Sequence, residues 1–268
     1  MSTSSTGRIR IGVGGWTFEP WRGAFYPEGL AQKRELEYAA SKLTAIEING
    51  TYYGSQKPAS FAKWYDETPE DFVFALKGPR FTTNRRVLSE AGESIERFFA
   101  SGVTELKHKL GPINWQFMAT KKFDPADFEG FLKLLPARVD GRDIRHAVEV
   151  RHDSFKSAEF VDMARAYGVA VIVAGDSEFP SIADVTAPFV YARIMGTQED
   201  EALGYKNTAL DHWAGIAKAW AKGETPAPLA NQLLTPAAAT KPRDVFLFVI
   251  SGFKAKNPAA AMALIERV

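Results

Sequence analysis

The chain has 268 residues, of which 46% are hydrophobic and 24% charged, with a formal net charge of +1 and no cysteine. That length fits a single α/β barrel of about 250 residues, and the apolar share supports a large packed core rather than wholesale disorder. No stretch is long and apolar enough to span a membrane, the near-zero charge creates no global field for nucleic acid or anionic lipid, and the lack of cysteine excludes disulfides and thiolate metal sites.

The N-terminal MSTSSTGR is polar and has no apolar h-region. It reads as a frayed tail over residues 1–8, not a signal peptide, ahead of one domain over residues 9–268 expected in the cytoplasm. Short β-rich runs then alternate with helical patterns. IRIGVGG (9–15) precedes a helix with Leu36, Ala39, Ala40 and Leu43 on one face, and AIEIN (45–49) precedes a segment opening at Pro58. FVFALK (72–77) leads to a stripe of Ile95, Phe98, Phe99 and Leu106, and PINWQF (112–117) to Phe128, Phe131 and Leu132. AVEVR (147–151) leads to Phe160, Met163 and Ala164; VAVIVAG (169–175), FVYARIM (189–195) and DVFLFVI (244–250) complete the strands. Helical stripes at three- and four-residue spacing between eight strands predict a (β/α)8 TIM barrel, with an open doubly wound sheet as the alternative. DSEFPSIADVTAP carries two prolines and is too short for a covering helix, so the unit near 176–188 is expected to be degenerate. The Pro/Ala-biased segment 222–242 reads as a long loop or partial helix.

Side chains on a strand alternate between faces, so each strand divides into a helix-facing and a lumen-facing set. This parity sends Ile46, Ile48, Phe72, Phe74, Leu76, Val148 and Val150 outward. It turns Glu47 and Asn49, Val73, Ala75 and Lys77, Asn114 and Gln116, Glu149 and Arg151, and Tyr191, Arg193 and Met195 inward. Asp176 falls just past the sixth strand. Three acidic groups (Glu47, Glu149, Asp176) would thus meet three basic ones (Lys77, Arg151, Arg193) near the carboxyl ends of the strands, where barrel active sites are built. A plain ion-pair network that fixes strand register is the competing explanation. It would be an inefficient stabiliser, because each buried ion costs several kcal/mol to desolvate.

Several pieces, GVGGWTFEPWRGAFYP, IEINGTYY, TPEDFVFALK, GPINWQF, AVEVRHDSF and YARIMG, resemble the DUF72 (YecE-like) family over nearly the whole chain. The resemblance implies a TIM-barrel fold and a polar mouth, and no particular reaction. It marks Trp16, Trp21, Glu47, Asn49, Thr51, Tyr53, Lys77, Gln116, Glu149, Arg151, His152 and Arg193 as family-pattern positions. The chain departs from that pattern around Asn84, at Met195 and at Ser251.

The chemistries rank as follows. The leading reading is a small anionic or polar substrate held by Lys77, Arg151 and Arg193, whose forked or point charges suit carboxylate and phosphate. Glu47 and Glu149 act there as acid and base. Trp16, Asn49, Tyr53, Gln116 and Asp176 complete the expected binding set, and the loop Gly196 to Asn207 is a candidate lid. If the protein is an enzyme, it is a hydrolase, lyase or isomerase with no evident cofactor. Glycoside hydrolysis needs carboxyls ~5 or ~6.5–9.5 Å apart, and carboxylates neutralised by Arg or Lys suit it poorly. A divalent metal on Glu47, Glu149, Asp176 and His152 ranks third, because Lys and Arg compete for the same carboxylates. The alternative from another class is a non-catalytic protein binding a ligand or single-stranded nucleic acid, through aromatics beside Arg80, Arg85 and Arg86. Oligomeric state is not legible from the sequence.

Overall fold

β-branched and aromatic residues favour the pleated, half-buried setting of a strand, and they dominate the eight runs that pair. In a computed structural model, whose described residues are 6–268, the runs form β1 (Ile9–Gly14), β2 (Ala45–Ile48), β3 (Val73–Lys77), β4 (Leu110–Gln116) and β5 (His146–Glu149). They continue as β6, in two pieces (Ala170–Val171 and Val173–Gly175), then β7 (Phe189–Ile194) and β8 (Asp244–Val249). Every neighbouring pair is parallel. The two pieces of β6 occupy opposite ends of the nine-segment sheet: Ala170–Val171 pairs with β5 and Val173–Gly175 with β7. The chain passes from one end to the other at Ile172, whose N–H donates to Val148 at 2.9 Å, so the ring closes through a single residue. The expected barrel is observed, and the open-sheet alternative is not.

Helices follow as the apolar stripes require. They are α1 (Glu35–Lys42), α2 (Gly50–Tyr53), α3 (Pro58–Asp66), α4 (Arg80–Thr83), α5 (Gly92–Ala100), α6 (Pro125–Leu134), α7 (Ala158–Ala166), α8 (Asn207–Lys222) and α9 (Asn257–Ile265). Pro58 and Pro125 open α3 and α6, where a missing N–H costs nothing. The Asp124 carboxylate caps α6 by accepting from the Asp127 N–H. No helix forms across 176–188, as expected for the degenerate unit. Part of the expected tail, residues 1–5, lies outside the described residues; Gly7 and Arg8 are not frayed, since their N–H groups donate to Ala221 and Asp244. Among the described residues, no helix is long and apolar enough to cross a membrane.

The predicted parity holds on both faces. Ile46, Ile48, Phe72, Phe74, Leu76, Val148 and Val150 pack against the helices in one large core. The lumen has its own apolar floor, in which alanines of β2, β3, β5 and β6 face Phe189, Tyr191, Phe246 and Phe248 of β7 and β8. Small residues on one side of the ring make room for large ones from the other, so the lumen is filled. β1 approaches β2 so closely that a Cβ on Gly12 would lie 1.8 Å from the Ala45 carbonyl oxygen. Gly12→Ala is therefore expected to cost about 2–3 kcal/mol of stability, read by urea denaturation. An unchanged midpoint would mean the two strands separate freely.

Candidate functional site

Above the apolar floor sits a charged layer. Glu47, Glu149 and Arg193 have essentially no solvent exposure. Arg193 reaches from β7 across the ring and joins the two carboxylates. One Nη donates to Glu149 Oε2, the other to Glu47 Oε1 at 3.1 Å, and Nε lies 3.1 Å from Glu47 Oε2. The Tyr191 hydroxyl donates to Glu47 at 2.5 Å, and Asn114 Nδ2 approaches the same oxygen at 3.4 Å. The other oxygen of Glu149 takes a forked pair from Arg151, Nε at 2.7 Å and Nη2 at 2.6 Å. Lys77, last residue of β3, donates to Gln116 Oε1 at 2.6 Å and lies 5.2 Å from the centre of the Tyr52 ring. Its backbone is held by the Thr51 hydroxyl, which donates to the Lys77 carbonyl at 2.6 Å.

The electrostatics follow from burial and neighbours. Burial opposes the charge on Glu149, but Arg193, Arg151 and Lys77 outweigh it and hold the carboxyl at about 2. Burial, reinforced by the adjacent Arg193, pulls Lys77 down to about 8 against the attraction of Glu47 and Glu149. Burial and Glu47 push the Tyr191 phenol well above its usual value. Three cations face two carboxylates, leaving an excess of one positive charge. Among the described residues Lys77 has no carboxylate partner, and two of its three N–H bonds are free.

The structure brings together six of the predicted residues: Glu47, Lys77, Gln116, Glu149, Arg151 and Arg193. The deeper members are sealed, so the reachable surface is Lys77, Gln116 and Arg151, with Lys77 and Gln116 each 8% exposed. The other predicted residues lie elsewhere. Asp176 turns away: its backbone is left-handed, with φ of 52°, and its carboxylate accepts from Trp213 Nε1 of α8 at 2.8 Å on the outer side of the barrel. Tyr53 is 68% exposed and touches only the edge of Tyr52 among aromatic rings. Trp16 packs on Trp64 and Phe74 of the helix-facing core. With Asn49, Gln56, Trp64 and Lys254 it lines a separate cavity of about 320 Å³ beside the mouth. His152 accepts the Ser154 N–H and closes a turn, so the four residues weighed as metal ligands do not converge. No group of three acidic or histidine side chains poised for a metal occurs among the described residues.

Around the mouth, Arg85 donates to carbonyls of its own loop, and Arg80 lies over Phe81. The loop expected as a lid is pinned at its base: Gly196 donates to the Tyr205 hydroxyl, and the Thr197 hydroxyl lies 2.8 Å from the Ser251 carbonyl and 2.7 Å from Asn257 Oδ1. The sequence departures sit at the rim, Asn84 near the Tyr52 hydroxyl at 3.5 Å and Ser251 beneath Thr197. Parity had already placed Tyr191 and Asn114 in the lumen, but their contact with Glu47 needed the structure. The sequence also offers Tyr52, beside Tyr53, as an aromatic platform, whereas nothing in it singles out Phe179 or Lys254. Phe179 lies 4.2 Å from the Arg151 guanidinium on the helix-less segment after β6, where no periodicity signals a position.

The family described as "Protein of unknown function DUF72" matches residues 10–268. "UPF0759 protein YecE" of Escherichia coli strain K12 is 27% identical over 150 residues, which is 55% of this chain and 50% of that protein. The match thus spans about half the length of that relative. "UPF0759 protein YunF" of Bacillus subtilis strain 168 is 25% identical over 201 residues, 73% of this chain and 68% of that protein. A solved DUF72 family protein from Thermotoga maritima shares the fold with a TM-score of 0.71 at 22% identity, covering 97% of this chain and 98% of the other.

Proposed function

We propose that this chain, which belongs to the DUF72 family, binds a small anionic molecule at the mouth of its barrel, on Lys77 and Arg151. The observation that carries the reading is the uncompensated positive charge: among the described residues Lys77 has free donors, no bonded carboxylate, and a guanidinium neighbour that disfavours its charge. A carboxylate or phosphate oxygen landing there relieves that repulsion and replaces lost solvent. Glu47 and Glu149, first read as acid and base, are better suited to holding Arg193 and Arg151 in place, because every carboxylate oxygen is engaged by a cation and Glu149 stays ionised down to about pH 2. Proton exchange with a bound substrate falls to Lys77, whose value of about 8 suits general acid or base work near neutrality. In this reading the protein is a hydrolase, lyase or isomerase acting in the cytoplasm.

The test is calorimetric titration with sulfate, whose charge is constant from pH 6 to 10. Affinity is expected to be flat below about pH 8 and to fall toward tenfold per pH unit above it, as Lys77 loses its proton. Arg151→Gln should weaken binding at every pH. Affinity that stays level from pH 7 to 10 would overturn the assignment to Lys77.

Exposed aromatics favour one second reading, binding of single-stranded nucleic acid, since Tyr53 and Phe81 are 68% and 65% exposed and Arg80 lies beside Phe81.

A further inference from the structure

The cavity beside the mouth is built from features that the anion reading does not use. Trp16 and Trp64 meet edge to face, their ring centres 5.2 Å apart and their planes at 78°. They form an L-shaped wall, and Gly14, Gly15 and Gly50 contribute backbone alone to the lining. Asn49 and Gln56 supply amides, each with a donor and an acceptor in one plane. Lys254 also lines the cavity. Its carbonyl is fixed by the Trp21 indole N–H at 3.0 Å, and its ammonium lies 4.3 Å from the Phe18 ring centre with no carboxylate partner among the described residues. The volume, about 320 Å³, is at the lower end of the range for small-molecule sites.

The cavity adjoins Lys77. Asn49 lines it and leads into α2, whose Thr51 hydroxyl donates to the Lys77 carbonyl at 2.6 Å and whose Tyr52 ring centre lies 5.2 Å from the Lys77 ammonium. The turn from Asn49 to Tyr52 is therefore the shared wall between the slot and the cationic surface. Resting on the anion reading above, we infer that the ligand is bipartite: a planar heteroaromatic ring held in the Trp16–Trp64 slot, carrying the anionic group that meets Lys77. Indole faces stack on flat π systems whatever their substituents, and the paired amides suit a ring edge with in-plane donors and acceptors. A polyhydroxylated ring fits less well. Each hydroxyl needs an acceptor, and no carboxylate lines the slot.

Calorimetric titration at pH 7 with matched probes tests this. Adenosine 5′-monophosphate is compared with ribose 5-phosphate, and benzoate with acetate. In at least one pair the ring-bearing member is expected to bind tenfold or more tightly than its ringless counterpart. Gln56→Ala, on an exposed loop, and Trp64→Phe, which keeps the core filled, should each pull that ratio toward one. Ratios near one in both pairs, or a ratio that neither substitution moves, would overturn the inference. The two readings separate cleanly. If adenosine binds as well as its monophosphate while sulfate and acetate do not bind, the slot stands and the anion reading fails. If sulfate binds and the ring adds nothing, the reverse holds.

Discussion

Arg193→Met is expected to lower unfolding free energy by about 3–5 kcal/mol at pH 7, because it strands two buried carboxylates without a cation. At ~2–4 °C per kcal/mol, thermal melting should fall by about 6–20 °C. The reason is geometric. Among the described residues Arg193 is the one side chain that bonds both Glu47 and Glu149, and all three are closed to solvent. The sign with pH follows from Glu149. Its carboxyl is held below the unfolded value, at about 2, so the stability it contributes is present above roughly pH 4.5 and is lost as pH falls through about 2. Without Arg193 that depression shrinks, and the stranded carboxylates take up protons at higher pH. The gap between wild type and variant should therefore narrow as pH drops from 7 toward 4. Adding Glu47→Gln and Glu149→Gln should recover part of the loss. Urea denaturation of the three proteins at both pH values decides it; an Arg193→Met protein within 1 kcal/mol of wild type at pH 7 would mean that water already screens the trio.

Lys77→Met should move stability the other way. Lys77 has its value lowered from 10.5 to about 8, so the folded state resists holding that proton. This penalty, on the order of 3 kcal/mol, is fully present below pH 8 and fades as pH rises through 8 toward 10.5, where the unfolded chain also loses the proton. Gln116 loses its donor in the variant, which returns about 1 kcal/mol. The expected net gain is about 1–2 kcal/mol at pH 7, vanishing near pH 10 where the fading penalty equals the loss at Gln116, together with at least a tenfold loss of sulfate affinity. Stabilisation coupled to lost binding is the mark of a residue kept for function. A variant that is less stable at pH 7, or that binds sulfate as wild type does, would identify Lys77 as a structural strut.

The inner layer was legible because a strand repeats every two residues. That period alone assigned Glu47, Lys77, Gln116, Glu149, Arg151 and Arg193 to one lumen, and all six meet there. It stopped being informative where the strands end. Gly15 has φ of 72°, and the turn it permits swings Trp16 off the strand line toward Trp64. The single turn of α2 aims Tyr52 at Lys77 and its neighbour Tyr53 at solvent, so only the first of the pair lies against the charged layer. Asp176 is a third case, since a left-handed backbone gives its carboxylate to Trp213 on the outer side. Whether side chains share a face can be counted along a strand; which way a loop turns depends on contacts with residues tens of positions away.

The aromatic floor beneath the charged layer makes the barrel a cup with a closed base. Phe189, Tyr191, Phe246 and Phe248 fill its bottom, and the sealed glutamates and Arg193 lie across the middle. Nothing can thread through the axis from one side to the other. Whatever settles on Lys77 leaves by the same doorway through which it arrived, so arrival and departure compete for one passage, and the loops framing that passage, rather than the interior, set the rhythm of exchange.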